Sequence, residues 1–214
     1  MNGKIFLSGG GTRRESFLLD KEFAKLLKRR LLYIPIARKS SHQYKECLRW
    51  IKGVFRQFNF NKIEMWIDLK NKTIADLKEF DGVYLGGGNT FKLLNEIKKT
   101  KFDNLLLNFY KSGGHIYGGS AGAIILGKDI RTAKQDKNEV KLKDFRGLNL
   151  INGYSIWCHY TPKDDFYIKK IIKKWNIKII ALPEGGGIIV ENKKFTPCGF
   201  EKCFIFEKNM KKEL

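Results

Sequence analysis

Residues 115–126 read HIYGGSAGAIIL. A short apolar strand, His115–Tyr117, runs into a turn made only of small residues. An apolar helix, Ser120–Leu126, leaves it. Within the turn, Gly118, Ser120 and Gly122 fit G-x-S-x-G, the pattern of a nucleophile held on a sharp strand-to-helix turn. Small neighbours are required because the backbone is crowded there. The turn lifts the serine hydroxyl and sets the Ala121 N–H at a helix N-terminus. That N–H and the helix dipole can stabilise a developing oxyanion.

Working outward, the same alternation recurs upstream. The spacing predicts strands over Lys4–Ser8, Leu31–Ile36, Lys62–Ile67 and Gly82–Leu85. Between them it predicts helices over Glu15–Leu27, Ser41–Gln57, Thr73–Phe80, Thr90–Lys98 and Asp103–Lys111. Glycine clusters close three of the strands. Strand, glycine turn and helix in repetition imply an α/β fold: a mostly parallel sheet with helices on both faces. Such sheets carry their chemistry at the carboxyl ends of the strands.

Downstream the pattern is less regular. Lys128–Arg146 is polar and reads as a long loop or irregular hairpin. Gly153–Cys158 is a strand, and Asp164–Trp175 a helix capped by Asp164 or Asp165. Lys178–Leu182, Gly187–Glu191, Lys194–Thr196 and Cys203–Glu207 read as further strands. No repeat or linker divides the chain, so residues 1–214 are expected to form a single domain.

Composition narrows the function. The chain has 214 residues, 42 Lys plus Arg against 22 Asp plus Glu, and a formal charge of +20. Such a balance raises the question of a polyanionic partner. Lysines occur in every segment, however, and no nucleic-acid module is present, so solvated helix faces account for them and nucleic acid is not the expected partner. Cys47, Cys158, Cys198 and Cys203 form no CxxC and no zinc spacing, so no metal is expected. No signal-length apolar segment and no run of ~18 apolar residues occurs. The expectation is a cytoplasmic protein with no membrane contact.

A serine nucleophile needs a base. His42 lies in a polar stretch opening a helix. His115 starts the strand that leads to Ser120, and so lies at its wrong end. His159 follows the strand GYSIWC, at a carboxyl end, where a base facing Ser120 belongs. An oxyanion hole needs a second donor. LGGGNT (residues 85–90) supplies Gly87, Gly88 and Asn89 between a strand and a helix, where glycines let the backbone approach a substrate. GGGT (residues 9–12) lacks a Walker lysine and reads as a cleft wall.

Together FLSGGG, YIPIA, YLGGGNT, GGSAGA, the following histidine and LPEGGG resemble peptidase family S51, the group of aspartyl dipeptidases (peptidase E) and cyanophycinases. The resemblance covers nearly the whole chain. It implies a class I glutamine amidotransferase-like fold, Ser120 as nucleophile, His159 as base, and the amides of Gly88 and Ala121 as oxyanion hole. The third member is either Glu184 of the LPEGGG segment or an aspartate in the loop after the nucleophile helix. That loop offers Asp136, next to Gln135, and Asp129. No cofactor is implied.

The expected activity is a serine exopeptidase, a dipeptidase acting on short peptides, with N-terminal Asp among the candidate specificities. The arginine that family members carry after the histidine is missing from YTPKDDFYIKK. Lys163, Lys169 or Arg131 would have to replace it, without an arginine's bidentate fork in the case of lysine. Two other classes are open. One is an α/β-hydrolase-type esterase, with Asp129 or Asp136 as acid. The other is a non-catalytic basic member that binds polyanions. A glutamine amidotransferase is disfavoured, with serine at the nucleophile and Thr161 two residues after the histidine. The chain is expected to be a monomer or homodimer.

Overall fold

A computed structural model describes residues 2–208 and 210–214. The first half alternates regularly: β1 (Ile5–Ser8), α1 (Phe17–Ala24), β2 (Leu31–Ile34), α2 (Ser41–Arg56), β3 (Ile63–Met65), α3 (Ile74–Leu77), β4 (Gly82–Leu85), α4 (Thr90–Lys99), α5 (Phe102–Lys111), β5 (His115–Gly119) and α6 (Ala121–Leu126). The second half is richer in strands: β6 (Tyr154–Trp157), α7 (Asp165–Trp175), β7 (Lys178–Ala181), β8 (Gly187–Glu191), β9 (Lys194–Pro197), β10 (Phe204–Glu207) and β11 (Met210–Glu213).

Seven strands form the main sheet in the order β3-β2-β4-β5-β1-β8-β9. The five from the first half are parallel; β8 and β9 are antiparallel additions at one edge. Both faces are covered. Ile5, Leu7, Leu32, Ile34, Val83, Leu85 and Ile116 join the core that includes residues of α3 to α6. The alternate residues Phe6, Leu31, Tyr33, Tyr84 and Tyr117 join the core under α1 and α2. Period-two alternation with both sides buried is why these strands read as continuous apolar runs. Each fully buried large side chain contributes about 1.5–3 kcal/mol.

The other strands make a second sheet that the sequence reading had not separated, in the order β11-β10-β7-β6. Ile156, Ile180 and Leu182 on and beside it join the main core. Trp157, Ile179, Ala181 and Phe206 point the other way, onto Ile168, Ile171 and Ile172 of α7. β11 was not expected at all. Its four residues, MKKE, are all exposed and carry no apolar alternation.

Two further differences are local. The helix expected over Glu15–Leu27 is shorter, because Thr12–Ser16 closes a turn of its own through Ser16 N–H to Thr12 O at 3.0 Å. Asp164 precedes α7 without capping it; its carboxylate accepts instead from Thr161 N–H at 2.9 Å. The segment after α6 is irregular, with one 3-10 turn, Ile130–Thr132, and one antiparallel bridge between Asp129 and Arg146.

Candidate active site

Ser120 sits where β5 gives way to α6. Its backbone has φ 49° and ψ −108°, a conformation that costs a non-glycine residue about 1–3 kcal/mol. Close packing holds it there. A Cβ on Gly118 would lie 2.6 Å from Ala123 N, and one on Gly122 would lie 2.2 Å from Leu85 O. Ser120 N–H donates to Ser8 O at 3.2 Å, tying the turn to the neighbouring strand. Only the small residues of this stretch allow β5, β4 and α6 to meet so closely.

His159 comes from the second sheet, two residues beyond the end of β6. It also has positive φ, 53°. Its N–H donates to Gly9 O at 3.1 Å, and Tyr160 N–H donates to Leu182 O at 3.1 Å. The ring is thereby aimed at Ser120, with Ser120 Oγ and His159 Nε2 2.9 Å apart. On its far side, His159 Nδ1 lies 2.9 Å from Glu184 Oε1. Glu184 lies in the turn after β7 and is half exposed. A carboxylate there selects the tautomer with a proton on Nδ1, which leaves Nε2 free to accept from the serine hydroxyl. The arrangement can deprotonate Ser120 and stabilise the imidazolium that results.

The turn Gly9–Gly11 closes the seam between the two sheets. A Cβ on Gly10, whose φ is +106°, would lie 2.6 Å from His159 Cε1 and 2.9 Å from Ser120 Cβ. Any side chain at this position would collide with the serine–histidine contact. The sequence read this turn as a cleft wall, and Gly10 and Gly11 do line the cleft.

Gly87 and Gly88 line the cleft as well. Gly88 has φ +141°, and a Cβ there would lie 2.8 Å from Ala37 O. Among the described residues, the amides of Gly88 and Ala121 donate to no protein acceptor. Ala121 itself is buried behind Ser120. Asn89 stands off the cleft as the N-cap of α4: its side chain accepts from Lys92 N–H at 2.9 Å and donates to Lys137 O at 2.9 Å.

The two aspartates considered as the acid lie elsewhere. Asp136 lines the cleft, but its carboxylate accepts from Thr90 N–H at 2.8 Å and makes no hydrogen bond to His159. Asp129 is clamped by Arg131, whose Nε lies 2.9 and 3.1 Å from its two oxygens. Arg131 is thereby occupied, and its guanidinium lies over the Trp175 ring. Lys163 and Lys169 are exposed and do not line the cleft. His42 is exposed, and His115 Nδ1 accepts from Lys4 N–H at the far end of β5.

The cleft has a volume of about 580 Å³. Beyond the serine it opens toward Tyr33, Trp50 and Tyr84, with Arg38 at its rim. Arg38 was not singled out from the sequence. It lies just past the carboxyl end of β2, a position that the strand-end rule could have flagged. Among the described residues its guanidinium has no carboxylate partner. Lys134 also lines the cleft but is paired with Asp164. Burial, with Cys47 adding to it, pushes the Tyr33 phenol well up, so it stays a neutral donor. Cys158 is next to the site, with Sγ 3.5 Å from Ser120 O, but burial pushes its thiol up and leaves it a poor nucleophile. Among the described residues no three His, Cys, Asp or Glu side chains are grouped to hold a metal ion. No helix among them is long and apolar enough to cross a membrane.

The sequence model described as Peptidase family S51 matches residues 5–197. An uncharacterized peptidase of Listeria monocytogenes is 39% identical over 102 residues, 44% of this chain and 49% of that protein. The aligned part is thus about half the length of that relative. A peptidase E of Nostoc is 25% identical over 199 residues, covering 87% of this chain and 79% of its own. Among solved structures, a peptidase from an acI-B1 Actinobacterium superposes with a TM-score of 0.81 at 18% identity, over 100% of this chain and 94% of that one. A second, from Listeria monocytogenes, gives 0.74 at 23% identity, over 94% and 100%. At these identities the two structures speak for the fold.

Proposed function

The chain belongs to peptidase family S51, and from that premise we propose that it is a cytosolic serine exopeptidase that cleaves dipeptides or short peptides. One observation carries the reading: the continuous chain from Ser120 through His159 to Glu184, with both contacts at 2.9 Å. Ser120 Oγ attacks the scissile carbonyl as its proton passes to His159 Nε2. The amides of Gly88 and Ala121 receive the oxyanion. His159 then protonates the leaving amine, and water, activated by the same histidine, releases the acyl group. Glu184 keeps the histidine in the working tautomer throughout.

Arg38 supports an acidic substrate group. It is the cleft-lining cation without a carboxylate partner among the described residues, and the buried Tyr33 and Tyr84 line the same cleft. A planar guanidinium takes a carboxylate bidentately. Arg38 therefore fills the role that the sequence reading sought in Lys163, Lys169 or Arg131.

The test is a dipeptide panel of Asp-Xaa, Glu-Xaa, Gly-Xaa and neutral pairs, read by mass spectrometry for the wild type and Ser120→Ala. Cleavage favouring acidic first residues, lost in Ser120→Ala and weakened in Arg38→Ala, is the expected result. Cleavage that survives Ser120→Ala overturns the serine mechanism. A preference unaffected by Arg38→Ala overturns the acidic subsite.

A further inference from the structure

The Gly86–Asn89 turn poses a mechanical problem. An oxyanion donor must be aimed before the charge develops, since its worth depends on preorganisation. Three consecutive glycines have no side chains to aim it. They are the most conformationally free residues in the chain. The order must therefore come from hydrogen bonds at the two ends of the turn.

At the near end, Gly86 N–H donates to Ile34 O at 3.0 Å, continuing the β2–β4 pairing. At the far end, Asn89 N–H donates to Ala37 O at 3.1 Å. Asn89 Oδ1 also accepts from Lys92 N–H at 2.9 Å within α4, and two further attachments come from one distant segment, the irregular stretch after α6. Thr90 N–H donates to Asp136 Oδ2 at 2.8 Å, and Asn89 Nδ2 donates to Lys137 O at 2.9 Å. Asp136 is itself held by its own N–H, which donates to Ala133 O at 3.2 Å. Lys39, from the loop that carries Ala37, pairs with Glu139 on the same segment.

Thr90 is the first residue of α4, so its N–H is one of the orphan donors of a helix start. A carboxylate there is also favoured by the helix dipole. We propose that Asp136 is a positioning residue: it clamps the start of α4, and through it fixes the Gly88 amide that receives the oxyanion. It acts on the oxyanion turn, while Glu184 acts on the histidine. The proposal rests on the serine peptidase reading for its catalytic consequence, and on geometry alone for the clamp.

The two parts can be tested apart. For the clamp, hydrogen exchange of the peptide spanning residues 84–94 is compared in wild type, Asp136→Ala and Asp136→Asn. Asparagine keeps an acceptor oxygen for Thr90 N–H; alanine does not. Faster exchange in the alanine variant, largely restored in the asparagine variant, is expected. Equal exchange in all three overturns the clamp.

For the catalytic consequence, kcat and KM are measured on a dipeptide the wild type cleaves. Asp136→Ala is expected to lower kcat about 10- to 100-fold, part of what a lost oxyanion donor costs, with KM changed less than about threefold. Asp136→Asn is expected to recover most of the rate. An aldehyde analogue of the substrate, which forms a tetrahedral adduct, should lose affinity in step with kcat. If asparagine is as inactive as alanine while Glu184→Gln is fully active, Asp136 serves the histidine and the proposal is wrong. A rise in KM alone also overturns it. Should Asp136→Ala fail to fold, Asp136→Ser, with a shorter acceptor, takes its place in both measurements. Full activity of Ser120→Ala would refute the serine reading, and the exchange data would still decide the clamp.

Discussion

The two sheets contribute to the site in different ways. The seven-stranded sheet delivers Ser120 and the amides of Gly88 and Ala121, each on a glycine turn at the end of a buried parallel strand. The four-stranded sheet delivers His159 and Glu184, each on a turn beyond a strand of its own. The first sheet is covered on both faces by helices. The second has one face on the main core, the other under α7, and an exposed edge at β11. The lesson is that the reactive pair spans a seam. Gly9 bridges that seam: its carbonyl accepts from His159 N–H, and its N–H donates to Gly186 O at 3.1 Å.

Short of removing the nucleophile, the largest expected effect comes from crowding that seam. Gly10→Ala puts a methyl group within 3 Å of both His159 and Ser120 Cβ, at a φ alanine avoids. It should lower kcat/KM by more than about 10²-fold, the cost of a 1 Å misplacement alone, while circular dichroism shows a folded protein. Activity within tenfold of wild type would mean that the seam is looser than the contacts imply.

A smaller loss should follow from the second sheet alone. Glu184→Gln keeps the shape but removes the charge that stabilises the imidazolium. Because Glu184 is half exposed, water shares its role. About a 10²-fold fall in kcat is expected, below the ~10⁴ of a buried triad aspartate. No change would leave His159 without an acid partner.

A last effect is on stability rather than activity and belongs to the first sheet. Asp20 on α1 is fully buried under the site, and one of its oxygens has no hydrogen-bond partner. Burial raises its carboxyl from 3.8 to about 6, against the opposing hydrogen bond from Ser16. The sign follows from linkage. A carboxyl with a raised folded pKa favours the fold while protonated, and that contribution is lost as pH rises through about 6. The shift corresponds to roughly 3 kcal/mol at most. Asp20→Asn should therefore raise Tm relative to wild type at about pH 8 and leave it nearly unchanged near pH 4. A lower Tm at the higher pH would mean that the charge is needed.

The same contrast explains what was legible in the sequence. Parallel strands buried on both faces read as apolar runs, and their turns require glycine. The first sheet and Ser120 were therefore visible, as were the glycine walls. His159 was legible by its place after a strand and by the poor placement of His42 and His115. The choice between Glu184 and Asp136 was not. It depends on which donor each carboxylate meets, and Thr90 is 46 residues from Asp136. The second sheet was hidden because its edge strand β11 is polar, without alternation, and because apolar runs alone do not say which strands pair. Arg38 was missed because the search for a cation was confined to the segments after Ser120, whereas the cleft is also walled by β2 and α2.

The central claim is that Ser120 and His159, from different sheets, work as one unit. A double-mutant cycle tests it most directly, with kcat/KM measured on one cleaved dipeptide for wild type, Ser120→Ala, His159→Ala and the double variant. Groups that act together are strongly non-additive. The account predicts that each single change costs about 10⁴-fold or more and that the double change costs no more than the larger single one. Losses that multiply, or a His159→Ala variant close to wild type, would contradict it.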